Sequence, residues 1–280
     1  MLPTETSVGP VSLFVPNLER STRFYVDVLG FKELSSTKDT KIFGAGDGQE
    51  ILELVERPSW NRPSRRSPGL FHFAVLFPSR AALGRSLTHL TEAGWRLTGA
   101  GDHLVSEALY LDDPDGNGIE LYADRPRSTW KYKDGLVQMD TLSVDIDSLI
   151  AEGTADPSPW AGLPAGTRIG HVHLKVSDLA AAGKFYHEVI GFDVMAAMPQ
   201  ALFVAAGGYH HHLGLNTWMS DGSPPPPLES LGLNGFVINT SDLDSLIARL
   251  QGAGYEVEES INGAFTRDPN GNGVWLLNSK

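Results

Sequence analysis

The chain has 280 residues, 41% of them apolar, enough for about two domains with packed cores. Its 22 Lys and Arg stand against 34 Asp and Glu, a net charge of −12 that argues against a basic footprint for nucleic acid or an anionic membrane surface. With no cysteine, disulfides, thiolate metal sites and Cys nucleophiles are excluded, so any metal must be held by His, Asp or Glu.

No stretch approaches 18 uninterrupted apolar residues, and Met1-Leu2-Pro3-Thr4-Glu5-Thr6 has neither the basic nor the apolar region of a signal peptide; a cytoplasmic protein is expected. The first strand is expected at Val11–Val15, then a helix over Leu18–Leu29 capped by Asn17 and stopped by Gly30. Gly44-Ala45-Gly46-Asp47-Gly48 reads as a hairpin turn, since no helix follows it as a phosphate loop would require. A second strand at Phe71–Phe77 leads to a helix over Arg80–Ala93, between Ser79 and Gly94. Residues 126–167, with Pro126, Pro157, Pro159 and Pro164, read as a linker carrying a short helix near Asp145–Glu152. Beyond it come a strand at Val172–Val176 and a helix at Leu179–Ile190, between Asp178 and Gly191. The Pro224–Pro227 run reads as a rigid surface loop, and a strand at Gly235–Thr240 precedes a helix at Leu243–Ala253, between Asp242 and Gly254.

An internal repeat organises these elements. The stretch from Asn17-Leu18 through Phe24-Tyr25 to Leu29-Gly30-Phe31 returns as Asp178-Leu179, Phe185-Tyr186 and Ile190-Gly191-Phe192. Likewise Asp113-Pro114-Asp115-Gly116-Asn117-Gly118 returns as Asp268-Pro269-Asn270-Gly271-Asn272-Gly273. Two or three short strands follow each helix, so the chain reads as an α+β protein of four tandem βαβββ modules. Modules 1 and 2 make a domain at 8–125, and modules 3 and 4 make another at 168–280.

Such modules, with Phe-Tyr on the helix, Gly-Phe after it and Asp-Pro-Asp-Gly-Asn-Gly-Ile-Glu at the end, resemble the vicinal oxygen chelate superfamily over nearly the whole chain. The resemblance implies half-open barrels built from paired modules. It includes glyoxalases, resistance proteins and extradiol dioxygenases, so the fold alone does not choose a function. The choice comes from module 2: Gly101-Asp102-His103, five residues, Leu109-Tyr110, two residues, Asp113-Pro114-Asp115-Gly116, three residues, Glu120 is similar to the extradiol dioxygenase pattern at each defined position. Residues 122–130 and Gly207-Gly208-Tyr209-His210-His211-His212 resemble the bacillus-type catechol 2,3-dioxygenases.

Strand alternation can be applied independently of the family. It puts His171, His173 and Lys175 on one face, opposite Val172, Leu174 and Val176. Likewise Phe71, Phe73, Val75 and Phe77 are expected against the helix, leaving His72 and Ala74 on the open face; Glu120 shares a face with Gly118 and Tyr122. By the same alternation His210 and His212 share a face with Gly214 and are candidates for lining the cavity.

The resemblance implies a metal held by a first-strand His from each of two paired modules and one last-strand Glu. Carried over, it gives His72 and Glu120, with the third position falling on Pro10 if modules 1 and 2 pair, or on His171 if modules 2 and 3 pair. The crossed pairing of 2 with 3 is preferred, because it completes the set; His173, on the same face, is the alternative third ligand. Gly235 and Trp275 occupy the corresponding positions of module 4, and its segment from Gly254 to Asp268 is shorter than that from Gly94 to Asp113, removing the counterpart of His103.

Two His and a carboxylate suit Fe(II), with Mn(II) a candidate on the same donors. The implied activity is extradiol cleavage of a small aromatic diol by O2, with His103 as acid or base and Tyr110 bonding the substrate oxygen. Plainer roles stand beside these: His72 and His171 as core histidines, Glu120 as a salt-bridged carboxylate, His103 as a loop residue and Tyr110 as a strand aromatic. The competing functions are a non-catalytic small-molecule-binding or resistance protein and a glyoxalase-type lyase. No nucleic acid or membrane partner is expected, and homo-oligomer formation is left open.

Overall fold

The computed structural model describes residues 1–279. Module 1 comprises β1 (Ser7–Val15), α1 (Leu18–Arg23), β2 (Lys32–Ser36), β3 (Thr40–Gly44) and β4 (Glu50–Glu56). Module 2 comprises β5 (Gly69–Leu76), α2 (Arg80–Glu92), β6 (Gly99–Asp102), β7 (Ser106–Asp112) and β8 (Gly118–Asp124). The linking stretch holds a short hairpin, β9 (Tyr132–Lys133) with β10 (Leu136–Val137), and α3 (Ile146–Gly153). Module 3 comprises β11 (Arg168–Lys175), α4 (Leu179–Gly183), β12 (Asp193–Met198), β13 (Ala201–Ala205) and β14 (Leu213–Asn216). Module 4 comprises β15 (Gly232–Thr240), α5 (Leu243–Gly252), β16 (Glu258–Ser260), β17 (Gly263–Arg267) and β18 (Gly273–Asn278).

The helix starts follow the expected capping chemistry. Asn17 accepts from Arg20 N, Ser79 from Ala82 N, Asp178 from Ala180 N and Ala181 N, and Asp145 from Ser148 N. Asp242 departs from the pattern, making no side-chain cap and instead facing Arg249 at 3.7 Å. The repeated Phe-Tyr helices do not stay α-helical to their ends: Phe24–Val28 and Lys184–Ile190 continue α1 and α4 as π-helix.

In modules 2, 3 and 4 the first and last strands run side by side and parallel, as β5 with β8, β11 with β14 and β15 with β18, and the middle strand pairs antiparallel outside the last. Two eight-stranded sheets result, ordered β16-β17-β18-β15-β1-β4-β3-β2 and β12-β13-β14-β11-β5-β8-β7-β6. Module 1 pairs with module 4 through β1 and β15, which run antiparallel.

The chain forms two compact units, one of residues 1–14, 60–71 and 170 onward, the other of residues 15–59 and 72–169. The second unit buries Tyr25, Phe31, Phe43, Phe73, Leu109 and Tyr122. The first buries Phe185, Tyr186, Phe192, Phe236, Leu246 and Leu276. Among the described residues no helix is long and apolar enough to cross a membrane.

Candidate metal centre

The ladder of module 2 builds the first part of the site. Ala74 pairs with Glu120 across β5 and β8, and Glu120 pairs with Tyr110 across β8 and β7. Because side chains alternate, His72, Glu120 and Tyr110 project from one face, over a floor of buried Ala74, Leu76, Ala108 and Tyr122. His72 Nε2 lies 2.9 Å from Glu120 Oε2, both residues being buried. Tyr110 contacts Glu120 on one side and His103 on the other, its Oη standing 2.7 Å from His103 Nε2. Burial, then the charge of Glu120 and the hydrogen bond to it, push the Tyr110 phenol well above its usual range, so the ring keeps its O–H. His103 sits in the turn between β6 and β7, with Nδ1 2.9 Å from the Asp140 carbonyl oxygen.

The other compact unit carries His171 and His173 on β11, both buried. His173 Nε2 stands 3.0 Å from Asn216 Nδ2, while Asn216 Oδ1 accepts from Trp218 N, so the amide donates to the imidazole. The His171 ring lies 4.0 Å from that of His211, whose Nδ1 is 2.8 Å from His210 Nδ1. Aromatic contacts continue outward from His211 to Phe203, from Phe203 to His173, and from His173 to Phe71 and the half-exposed Trp218.

The Glyoxalase/Bleomycin resistance protein/Dioxygenase superfamily model matches residues 7–121 and 168–276. The chain belongs to this superfamily. Among superfamily relatives, it is 46% identical over 273 residues to Catechol-2,3-dioxygenase of Bacillus subtilis (strain 168), a match covering 95% of this chain and 94% of the relative. It is 28% identical over 123 residues to Biphenyl-2,3-diol 1,2-dioxygenase 3 of Rhodococcus globerulus, covering 42% of this chain and 65% of that protein. The crystal structure of glyoxalase I from Zea mays superposes with a TM-score of 0.58 at 16% identity, covering 98% of this chain and 92% of that one, a likeness of fold alone.

The geometry adds to what spacing suggests. The ladder of β5 with β8 begins at Phe73, and Phe71 meets His173 and Trp218 edge-on. Alternation does not describe His210, because residues 207–211 leave the ladder in a turn where Gly207 and Gly208 have φ of +60° and +65°; His212 has rejoined it, its N bonded to Val204 O and its O to Val172 N. His210 is fully buried with its ring 4.1 Å from that of Tyr209, whereas His211, not singled out by spacing, is the one against His171. The linking stretch also reaches His103 through the Asp140 carbonyl, a backbone group that no residue type announces.

Proposed function

We propose that the chain is an extradiol catechol dioxygenase, opening the ring of a small aromatic diol with O2 through Fe(II) held by His72, Glu120 and His171. The observation that carries this reading is the pair of donors within one unit, His72 Nε2 and Glu120 Oε2, both buried and facing each other. The separation of 2.9 Å between His72 Nε2 and Glu120 Oε2 fits two donors about 2.1 Å from one ion at right angles. Two imidazoles and one carboxylate, with no thiolate, are the donors of non-haem Fe(II) oxygenases, and the same set suits Mn(II). His171 is preferred to His173 because His173 Nε2 already takes the Asn216 amide proton. The 46% identity to a catechol-2,3-dioxygenase over nearly the full chain supports the substrate class.

The bound metal supplies the redox chemistry between diol and O2, in which a ring carbon–carbon bond beside the diol breaks and both oxygen atoms enter the product. The chain's own residues do the rest. Tyr110, kept as a phenol, offers its Oη to a substrate oxygen from its place between Glu120 and His103. His103 receives and returns the diol proton at Nε2, the nitrogen turned toward Tyr110. The apolar floor of Ala74, Leu76 and Ala108 accepts the faces of an aromatic ring and excludes water.

The test is oxygen uptake with catechol by anaerobically Fe(II)-loaded protein, followed with formation of the yellow ring-opened semialdehyde. Uptake with yellow product supports the reading. No uptake with Fe(II) or Mn(II), or a lyase activity with Ni(II) or Zn(II) and no oxygen consumed, overturns it.

A further inference from the structure

The turn that carries His103 is held on several sides at once. Asp102 exchanges both backbone hydrogen bonds with Leu142, Asp102 N donating to Leu142 O at 2.9 Å and Leu142 N to Asp102 O at 2.8 Å. The Asp102 carboxylate accepts from Leu104 N at 2.9 Å and from Arg125 Nη2 at 2.8 Å. Leu104 is held at φ +67°, a backbone conformation that a leucine adopts only when its surroundings impose it. Beside it, His103 N donates to Ser106 O at 2.8 Å, and a Cβ on Gly101 would press against the His103 ring. The strand-like partner in this arrangement, residues 138–142, belongs to the stretch between the repeats rather than to any module. It is tied at its other end by Gln138 N donating to Lys131 O, beside the β9–β10 hairpin.

We propose that residues 138–142 form a strap that positions His103 as the Nδ1–H tautomer and thereby turns the Nε2 lone pair toward Tyr110. A carbonyl oxygen can only accept, so the Asp140 carbonyl at 2.9 Å requires the proton on Nδ1. In the neutral ring Nε2 then carries a lone pair 2.7 Å from Tyr110 Oη, and accepts the phenol O–H when that proton turns from Glu120 toward it. A histidine side chain free in water prefers the other tautomer, with its proton on Nε2, which would set a donor against the phenol. Leu142 and Asp140 are positioning residues: they touch His103 or its turn, and the strap selects which imidazole nitrogen faces the site. The catalytic consequence, a base ready at Nε2, rests on the dioxygenase reading; the tautomer itself does not.

The decisive measurement is ¹⁵N NMR of the full-length chain labelled at histidine and freed of metal, with the His103 signals identified by their absence from His103→Asn. In the wild-type chain the neutral ring is expected to show a protonated Nδ1 and an unprotonated Nε2. Leu142→Pro removes the N–H that bonds Asp102 while changing a half-exposed side chain, and is expected to return His103 toward the Nε2–H form; Leu142→Ala keeps the wild-type pattern. In the iron-loaded chain Leu142→Pro should lower kcat for catechol roughly three- to tenfold, about the worth of one hydrogen bond, with a smaller change in KM and no loss of iron. An Nε2–H wild-type ring overturns the proposal without reference to any variant, and an unchanged tautomer in a folded Leu142→Pro overturns the role of the strap. Should the wild-type chain consume no oxygen, the dioxygenase reading falls while an Nδ1–H signal still upholds the strap.

Discussion

The Tyr25 hydroxyl donates to the buried Asp113 carboxylate at 2.9 Å, and the repeat reproduces the contact between Tyr186 and Asp268 at the same distance. The Phe-Tyr helix and the Asp-Pro turn that recur along the sequence are thus one structural device. In each case the carboxylate also collects two backbone N–H groups and an Asn side chain, from Asp115 and Asn117 in one copy and from Asn270 and Asn272 in the other. Burial raises both carboxyl groups above the usual range, against the pull of those donors.

Tyr25→Phe removes one of these donors and leaves the cavity shape nearly unchanged. The expected cost is about 1–3 kcal/mol, because a buried carboxylate loses a partner it cannot replace with water. Urea denaturation of Tyr25→Phe and Tyr186→Phe checks this, with both variants keeping wild-type metal content. Stabilities within about 0.5 kcal/mol of wild type would show that the tyrosines contribute only packing.

His72→Ala, Glu120→Ala and His171→Ala are each expected to weaken iron binding by more than the roughly 10–100-fold that loss of a supporting partner costs, since each removes one of three donors. His173→Ala should keep its iron, as its Nε2 is engaged by Asn216. Iron measured on the four proteins after gel filtration decides between the two histidines. Full retention by His171→Ala together with loss in His173→Ala would reverse the assignment.

Much of this site is legible in the sequence because a paired ladder enforces a period of two. Once β5, β8 and β7 are hydrogen-bonded in register, His72, Glu120 and Tyr110 have no choice of face. Where the chain leaves the ladder the rule lapses. Gly207 and Gly208 turn the backbone through left-handed φ before the chain rejoins the ladder, so alternation fails at His210 and passes over His211. The repeat is equally informative about architecture: module 4 carries Gly235 and Trp275 at the ligand positions, and these pack on Gly273 and Phe265. The part of the site that depends on main chain, the Asp140 carbonyl at His103, leaves no mark in residue identity.

The stretch between the repeats is fixed at a second place, where α3 crosses α2 at Gly84 and Gly153. A Cβ on Gly153 would overlap the Gly84 carbonyl carbon and Arg85 N, and one on Gly84 would overlap the Leu149 carbonyl oxygen. Backbone cannot yield as a flexible side chain can. Gly153→Ala is therefore expected to cost about 1–3 kcal/mol, the usual penalty of overpacking, despite the better helix propensity of alanine. An unchanged or raised unfolding midpoint would mean that α3 moves away freely.

His103 is the residue for which a catalytic and a merely structural role differ most clearly in what they predict. It lies outside the donor set and reaches the site through Tyr110, whose Oη also contacts Glu120. Replacing it by Asn keeps a polar group of similar reach, so the turn held by Asp102, Ser106 and Leu142 should remain folded. Asn has no nitrogen that takes up a proton near neutral pH, so the proton transfers lose their acceptor while coordination is untouched. The expected outcome is wild-type iron content, little change in KM and a fall in kcat of about 10²–10⁴-fold, the usual worth of general acid–base catalysis. Oxygen-uptake kinetics alongside metal analysis of His103→Asn read all three quantities. A variant that loses iron would make His103 part of the metal's coordination, and one with undiminished kcat would reduce it to a residue of the turn.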